Sequence, residues 1–385
     1  MTPPGPARFD DLRAGTGLRF AAPSRILAAY RPADVVPVLE AVEAATARGK
    51  WAYGFVAYEA AAAYGLDVHA EPPEGLPLVW FGLTDQPQEA ISSTSVGEYD
   101  VHWREHWSRT EYYGLVQRVR EKIAAGETYQ TNLTVRMRGS FFGDPDGLYR
   151  DLCSAQRGSC HARLDTGRFV IASASPELFF ERRGDELLLR PMKGTAPAGP
   201  TPSDDRARAR ELRGDEKERA ENIMIVDLMR NDVARVAVPG SVRVPSLLRV
   251  ERYPTVLQLT SEVTARLRPE TGLPDLFAAL FPCGSVTGAP KARTMTLIRE
   301  LEDTPRGVYC GAIGWAAPPS APVRSRFSVA IRTAVVDRAA GTAEYGVGGG
   351  ITWGSSADAE HRELLAKARI LRRGESVARV PVGRG

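Results

Sequence analysis

Short strand-like runs follow one another along this chain without a helix between each pair, and that succession limits the fold more than any other feature. FVIASAS, ELFFERR and ELLLRPM occupy residues 169–192 in close order, and VYCGAIGWAA, RFSVAIRTAVV and EYGVGGGITW do the same over residues 308–353. Strands joined by short turns pair antiparallel, whereas parallel neighbours need a long crossover. The helical candidates stand apart from these runs: Pro32 to Ala47, EYYGLVQRVREKIAAG after Thr110, Pro202 to Leu212, Asp215 to Arg230, Ala289 to Leu301 and Ser356 to Leu371. Elements grouped in blocks point to an α+β fold rather than a doubly wound sheet.

A chain of 385 residues buries ample apolar surface without covalent staples. Its four cysteines, Cys153, Cys160, Cys283 and Cys310, have no CxxC spacing and read as buried free thiols in a reducing compartment. The net charge of +3 comes from scattered residues, which excludes the basic footprint of a nucleic-acid partner. No stretch approaches the length of a membrane span, and the opening MTPPGPARFDDLRAG lacks an apolar signal core, so a cytoplasmic protein is expected. The polar segment Gln86 to Asp100 reads as a linker. It divides an N-terminal region, residues 1–95, expected to be part of the same globule, from a main domain over residues 100–378.

In ETYQTNLTVRM, Tyr129, Thr131, Leu133, Val135 and Met137 alternate with Gln130, Asn132, Thr134 and Arg136, the period of a half-buried strand, so Gln130 and Asn132 share a face. The helix opening at Asp215 sets Glu218 and Glu221 one turn apart, and the last helix repeats the spacing with Glu360 and Glu363. Two such pairs can supply the few carboxylates that Mg²⁺ takes alongside water. Spacing alone favours a plainer reading, in which Asp215 and Glu218 form a capping box and Glu363 pairs with Lys367. Lys193, in a loop directly after ELLLRPM, is either a solvated surface cation or a desolvated nucleophile. GSVTGAPKA and GVGGGITW miss both phosphate-loop patterns, yet Gly348, Gly349 and Gly350 leave room for backbone N–H groups to meet an anion.

Taken in order, GETYQTNL, SPELFF, PMKGT, DEKERAENIMIVDLMRND, LFPCGSVTGAPK, RGVYCGAIGW, VAIRT, GVGGGITW and AEHRELLAKA resemble the chorismate-utilising enzymes, across roughly residues 100–375. The resemblance implies a sandwich of large antiparallel sheets with helices on the outside and the site between them. It implies Mg²⁺ held by Glu221 and Glu363 with Glu218 and Glu360 close by, and substrate carboxylates met by Arg332, Tyr309, Lys367 and the amides of Gly348, Gly349 and Gly350. Thr195 falls where the family lines the ring, and Glu177 matches the family's general acid. Upstream, WAYGFVAYEAAAAYGL is similar to the aminodeoxychorismate branch.

Within the family, members that transfer a hydroxyl carry a lysine base where this chain has Gln130, and anthranilate synthases usually carry alanine where it has Lys193. The resemblance therefore implies amination of chorismate at C4 by ammonia, with Lys193 as covalent nucleophile, Glu177 as acid and Gln130 at the former base position. Two departures from the family pattern stand beside this: Gln258 where many relatives have histidine, and APAG after Thr195 where arginines are common. No cysteine sits in a glutaminase context, so a separate glutamine amidotransferase subunit is the expected partner, together with chorismate and ammonia; no nucleic acid or membrane is expected. The alternatives are amination at C2, giving anthranilate or 2-amino-2-deoxyisochorismate, and a non-catalytic subunit that binds chorismate to regulate a partner.

Overall fold

A computed structural model of the chain describes residues 2–91, 97–253 and 256–374. Residues 92–96 of the expected linker, with the boundary at residue 95, and the end of the main domain beyond residue 374 lie outside the described residues.

Two antiparallel sheets carry the fold. The first runs in the order Gly288–Ala289, Gln130–Gly143, Thr342–Ile351, Thr333–Asp337, Phe169–Ser175, Cys160–Asp165, Ala7–Asp11, Thr16–Phe20 and Gln88–Ile91. The second runs Met192–Pro197, Val256–Arg266, Glu186–Arg190, Leu178–Arg183, Ser325–Val329, Ala312–Ala316, Trp51–Val56, Val79–Thr84 and Arg25–Ala29. Strands from residues 7–91 are built into both: Ala7–Asp11 pairs with Cys160–Asp165, and Trp51–Val56 lies between Ala312–Ala316 and Val79–Thr84.

Three apolar clusters fix the layers. Phe20, Leu164 and Ile171 of the first sheet meet Tyr53, Trp80 and Ile313 of the second, so the sheets pack face to face. On the far side of the first sheet, Leu133, Val135 and Met137 meet Tyr112 and Val116 of the Arg109–Ala124 helix and Leu364 of the Ala357–Ala368 helix. On the far side of the second, Phe179 and Phe180 pack with Phe277 and Phe281, whose rings lie edge to face against them. Each buried ring contributes about 1.5–3 kcal/mol. The result is the expected α+β sandwich, with helices outside both sheets.

Local sequence explains the elements that carry the site. Ser108 caps the Arg109–Ala124 helix in a capping box with Glu111, and Gly126 leaves it at φ 75°. Asp215 caps the Glu216–Ala234 helix by accepting the Glu218 N–H, and Ser356 caps Ala357–Ala368.

Three expectations are corrected. RFSVAIRTAVV is not one strand: Ser325–Val329 belongs to the second sheet and Thr333–Asp337 to the first, and the chain crosses between them through Arg332 at φ 53°. The PMKGT segment is not a loop but the Met192–Pro197 strand, paired irregularly with Val256–Arg266. The Gln130–Gly143 strand keeps its period of two, yet both faces are buried as far as Met137. Its polar face lies against a buried ion pair instead of water: Glu302 accepts from the N–H and hydroxyl of Thr134, and Arg306 donates to the Asn132 carbonyl.

Candidate active site

Lys193 rises from the edge strand of the second sheet toward the glycine run of the first. A methyl group at Gly350 would stand 3.0 Å from Lys193 Nζ and 2.1 Å from Gln130 Nε2, so only glycine leaves room for both side chains. Gly350 lies opposite Asn132 in the ladder, and Gln130 is 1% exposed with its Oε1 lacking a partner among the described residues. The PMKGT, GETYQTNL and GVGGGITW segments, far apart in sequence, therefore meet at one amine.

Glu177 is buried at 2% exposure, and that burial pushes its carboxyl up to about 7, against the Ser285 hydroxyl, the Lys193 ammonium and the Met192 N–H, which favour the ionised form. Its Oε1 has no hydrogen-bond partner among the described residues. At neutral pH this carboxyl can hold or give a proton.

The four glutamates form one electrostatic group. Burial raises Glu218 to about 7, helped by Glu221, and raises Glu221 against the pull of Lys193 and Lys217. Lys217 Nζ stands 3.4 Å from Glu360 Oε1 and 3.9 Å from Glu221 Oε1. Glu363 is lowered, first by Lys367 at 2.8 Å. Of the two plain readings, the Glu363–Lys367 pair is present, whereas the capping box is only half made: Asp215 accepts the Glu218 N–H, but the Asp215 N–H goes to the Glu211 carbonyl and not to the Glu218 carboxyl. Among the described residues no three His, Cys, Asp or Glu side chains stand in a ligating cluster. The donor chemistry nevertheless fits a hard divalent cation: oxygen ligands only, crowded enough to repel one another, with a lysine ammonium between Glu221 and Glu360.

The expected carboxylate-binding residues lie beyond Gly350. Lys367 Nζ donates to the Gly348 carbonyl at 2.7 Å, and a methyl at Gly349 would stand 3.5 Å from Glu360 Oε2 and 3.6 Å from Lys367 Nζ. Arg332 donates to the Lys367 carbonyl at 2.9 Å, so that guanidinium is engaged with the final helix. Tyr309 is buried against Gly346, with the Arg136 guanidinium 5.1 Å from its ring centre. Thr195 is exposed and donates to Gln258 Oε1 at 2.9 Å. Lys193, Gln130, Glu177, the glutamates and the glycines thus come together, while Thr195 turns toward Gln258.

Sequence reading passed over three neighbours: Lys217, Asn222 and Ser285. Lys217 stands four residues before Glu221, a spacing that announces an i,i+4 pair. Ser285 lies in LFPCGSVTGAPK, where glycines drew attention, and only the tertiary fold brings it to Glu177. A cavity of about 550 Å³ lies apart, between the sheets near Phe9, Asp10, His161 and Trp315. It has no lysine and none of the glutamates of the two helices, and the chemistry is assigned to the Lys193 cluster.

Comparisons with known proteins show the family to which the chain belongs. The chorismate binding enzyme family matches residues 86–373. The chain is 42% identical over 270 residues to aminodeoxychorismate synthase component 1 of Salmonella typhimurium, covering 70% of this chain and 58% of that protein. It is also 42% identical over 282 residues to anthranilate synthase component 1 of Streptomyces coelicolor, covering 72% and 54%. The chain thus spans a little over half the length of these relatives. Anthranilate synthase component I from Streptococcus pneumoniae superposes with a TM-score of 0.77 at 27% identity, covering 86% of this chain and 85% of that one. The fold is shared by the menaquinone-specific isochorismate synthase from Escherichia coli, with a TM-score of 0.75 at 17% identity over 97% of this chain and 89% of that one. This chain belongs to the chorismate-binding enzyme family.

Proposed function

We propose that the chain is component I of an aminodeoxychorismate synthase, a cytoplasmic enzyme that converts chorismate and ammonia to 4-amino-4-deoxychorismate, the precursor chemistry of p-aminobenzoate. The observation that carries this reading is the Lys193 amine against Gly350, in the field of the buried acid Glu177. The relatives named aminodeoxychorismate synthase component 1 support it.

In the reaction, the Lys193 nitrogen, having passed one proton to water, bonds to ring C2 while the conjugated double bonds shift and the C4–O bond breaks. Glu177 gives its proton to the departing hydroxyl, which leaves as water; a carboxyl with a value of about 7 suits that task at neutral pH. Ammonia then bonds at C4, the double bonds return, and the C2–N bond to Lys193 breaks. The new C4 ammonium returns a proton to Glu177, so that ammonia enters, water leaves and both side chains are restored. Gln130, a neutral amide, deprotonates no water, which leaves ammonia as the external nucleophile.

Arg332, Tyr309, Lys367, Thr195 and the amides of Gly348, Gly349 and Gly350 bind and orient the substrate, a dianion suited to guanidinium and fixed dipoles. Glu221 and Glu363 would hold Mg²⁺, with Glu218 and Glu360 acting through water, and the ion supplies positive charge to a substrate carboxylate. Binding would draw the two helices' carboxylates together and displace the Lys217 ammonium.

Lys193→Ala tests the covalent step: C4 amination is lost or diverted, and an unchanged yield of the 4-amino product rules the adduct out. A separate glutamine amidotransferase subunit supplies ammonia. All four cysteines are buried, and the isolated chain is expected to use ammonium salts but not glutamine; equal rates with both would contradict a separate ammonia source. A second reading, amination at C2, has the Streptomyces coelicolor relative in its favour.

A further inference from the structure

Lys193 occupies the one irregular stretch of its strand. Met192 pairs with Thr260 and Thr195 with Gln258, so Lys193 and Gly194 fall where the register shifts. Side chains receive the two carbonyls there: Asn222 Nδ2 donates to the Lys193 carbonyl at 3.2 Å, and Gln258 Nε2 to the Gly194 carbonyl at 2.9 Å. Asn222 is 1% exposed and lies next to Glu221 on the Glu216–Ala234 helix.

The polarity of this link is fixed by its neighbours. Ser261 Oγ accepts the Leu248 N–H at 3.0 Å and donates to Asn222 Oδ1 at 2.6 Å. With Oδ1 held by that hydroxyl, the amide must present its N–H₂ to Lys193; turned over, it would set oxygen against oxygen. Leu248, Ser261 and Asn222 thus donate in one direction, in a chain that ends on the accepting Lys193 carbonyl. The same helix presses on the bulge a second time, since a methyl at Gly194 would stand 2.9 Å from Glu218 Oε2.

We infer that Asn222 is a positioning residue, which ties the backbone of Lys193 to the carboxylate-bearing helix and so sets the reach of the lysine amine relative to Glu218 and Glu221. The inference rests on the reading of Lys193 as nucleophile. Because the link acts on the main chain at Lys193 and leaves the substrate-binding residues untouched, it governs the chemical step and not the affinity for chorismate.

The test compares wild type, Lys193→Ala, Asn222→Asp and Ser261→Ala in steady-state amination of chorismate with ammonium and Mg²⁺. Asn222→Asp keeps the side-chain volume and the acceptor facing Ser261 but removes the hydrogen given to Lys193. Ser261→Ala frees the amide without changing any charge. The inference predicts kcat lower by about tenfold or more in Asn222→Asp and by a smaller factor in Ser261→Ala, with KM for chorismate within about twofold in both. If Asn222→Asp does not fold, Ser261→Ala alone decides, and wild-type kcat in it overturns the inference. An inactive Lys193→Ala beside a fully active Asn222→Asp overturns the positioning role alone. A Lys193→Ala enzyme that still makes the 4-amino product at the wild-type rate overturns the nucleophile reading and the inference with it.

Discussion

At Gly350 the space between two strands is already filled by the Lys193 amine and the Gln130 amide. Gly350→Ala must displace one or both, and kcat/KM is expected to fall by about a hundredfold with a loss of stability of about 1–3 kcal/mol, as steady-state kinetics beside calorimetry will show. Glu177 supplies a second residue-scale prediction. Its folded value of about 7 lies above the 4.5 of an unperturbed glutamic acid, so its contribution to stability is fully present below 4.5 and is lost as pH rises through 7. The shift corresponds to a penalty on the order of 3 kcal/mol at alkaline pH. Glu177→Gln is therefore expected to melt higher than wild type at pH 8 but not at pH 4, and to be inactive at both. Lys193, Glu177 and Gln130 were legible as candidates because they sit inside long motif matches. Asn222 and Ser285 were not, because their partners are a main-chain carbonyl and a carboxyl that only the fold brings near.

At the scale of elements, the site depends on two helices that present Glu218 with Glu221 and Glu360 with Glu363. In the proposed Mg²⁺ site protons would compete with the ion for these carboxylates, and Glu218, raised to about 7, is the group whose ionisation falls in the working range. Mg²⁺ affinity measured by calorimetry is expected to tighten by up to about tenfold per pH unit between 6 and 7, then to level off. Glu221→Gln should weaken it throughout; an affinity independent of pH and of Glu221 would place the ion elsewhere. The helices themselves were readable from spacing and caps. What spacing does not reveal is why RFSVAIRTAVV breaks. Its residues alternate well enough for one strand, and the crossing between sheets is imposed by the layers packed on either side. The PMKGT segment misled in the opposite direction: Pro191, Gly194 and Pro197 mark a turn locally, yet pairing with Val256–Arg266 holds the segment as a strand. The Gln130 strand showed its period but not its burial, since Glu302 and Arg306, far away in sequence, close over its polar face.

For the whole molecule, the N-terminal residues are structural members of both sheets. Removing residues 1–96 would take away Trp51–Val56 together with Val79–Thr84 and leave Ala312–Ala316 and Cys160–Asp165 as exposed edges. The shortened chain is expected to lose its cooperative thermal transition and chorismate binding together; a stable, binding-competent remainder would show the catalytic part to be autonomous. Which ring carbon receives nitrogen decides between the two aminations. Purified chain incubated with chorismate, Mg²⁺ and ammonium, with the product identified by NMR, gives the most direct answer. A new C–N bond at C4, in 4-amino-4-deoxychorismate, is the predicted result; nitrogen at C2, or chorismate bound and recovered unchanged, would contradict it.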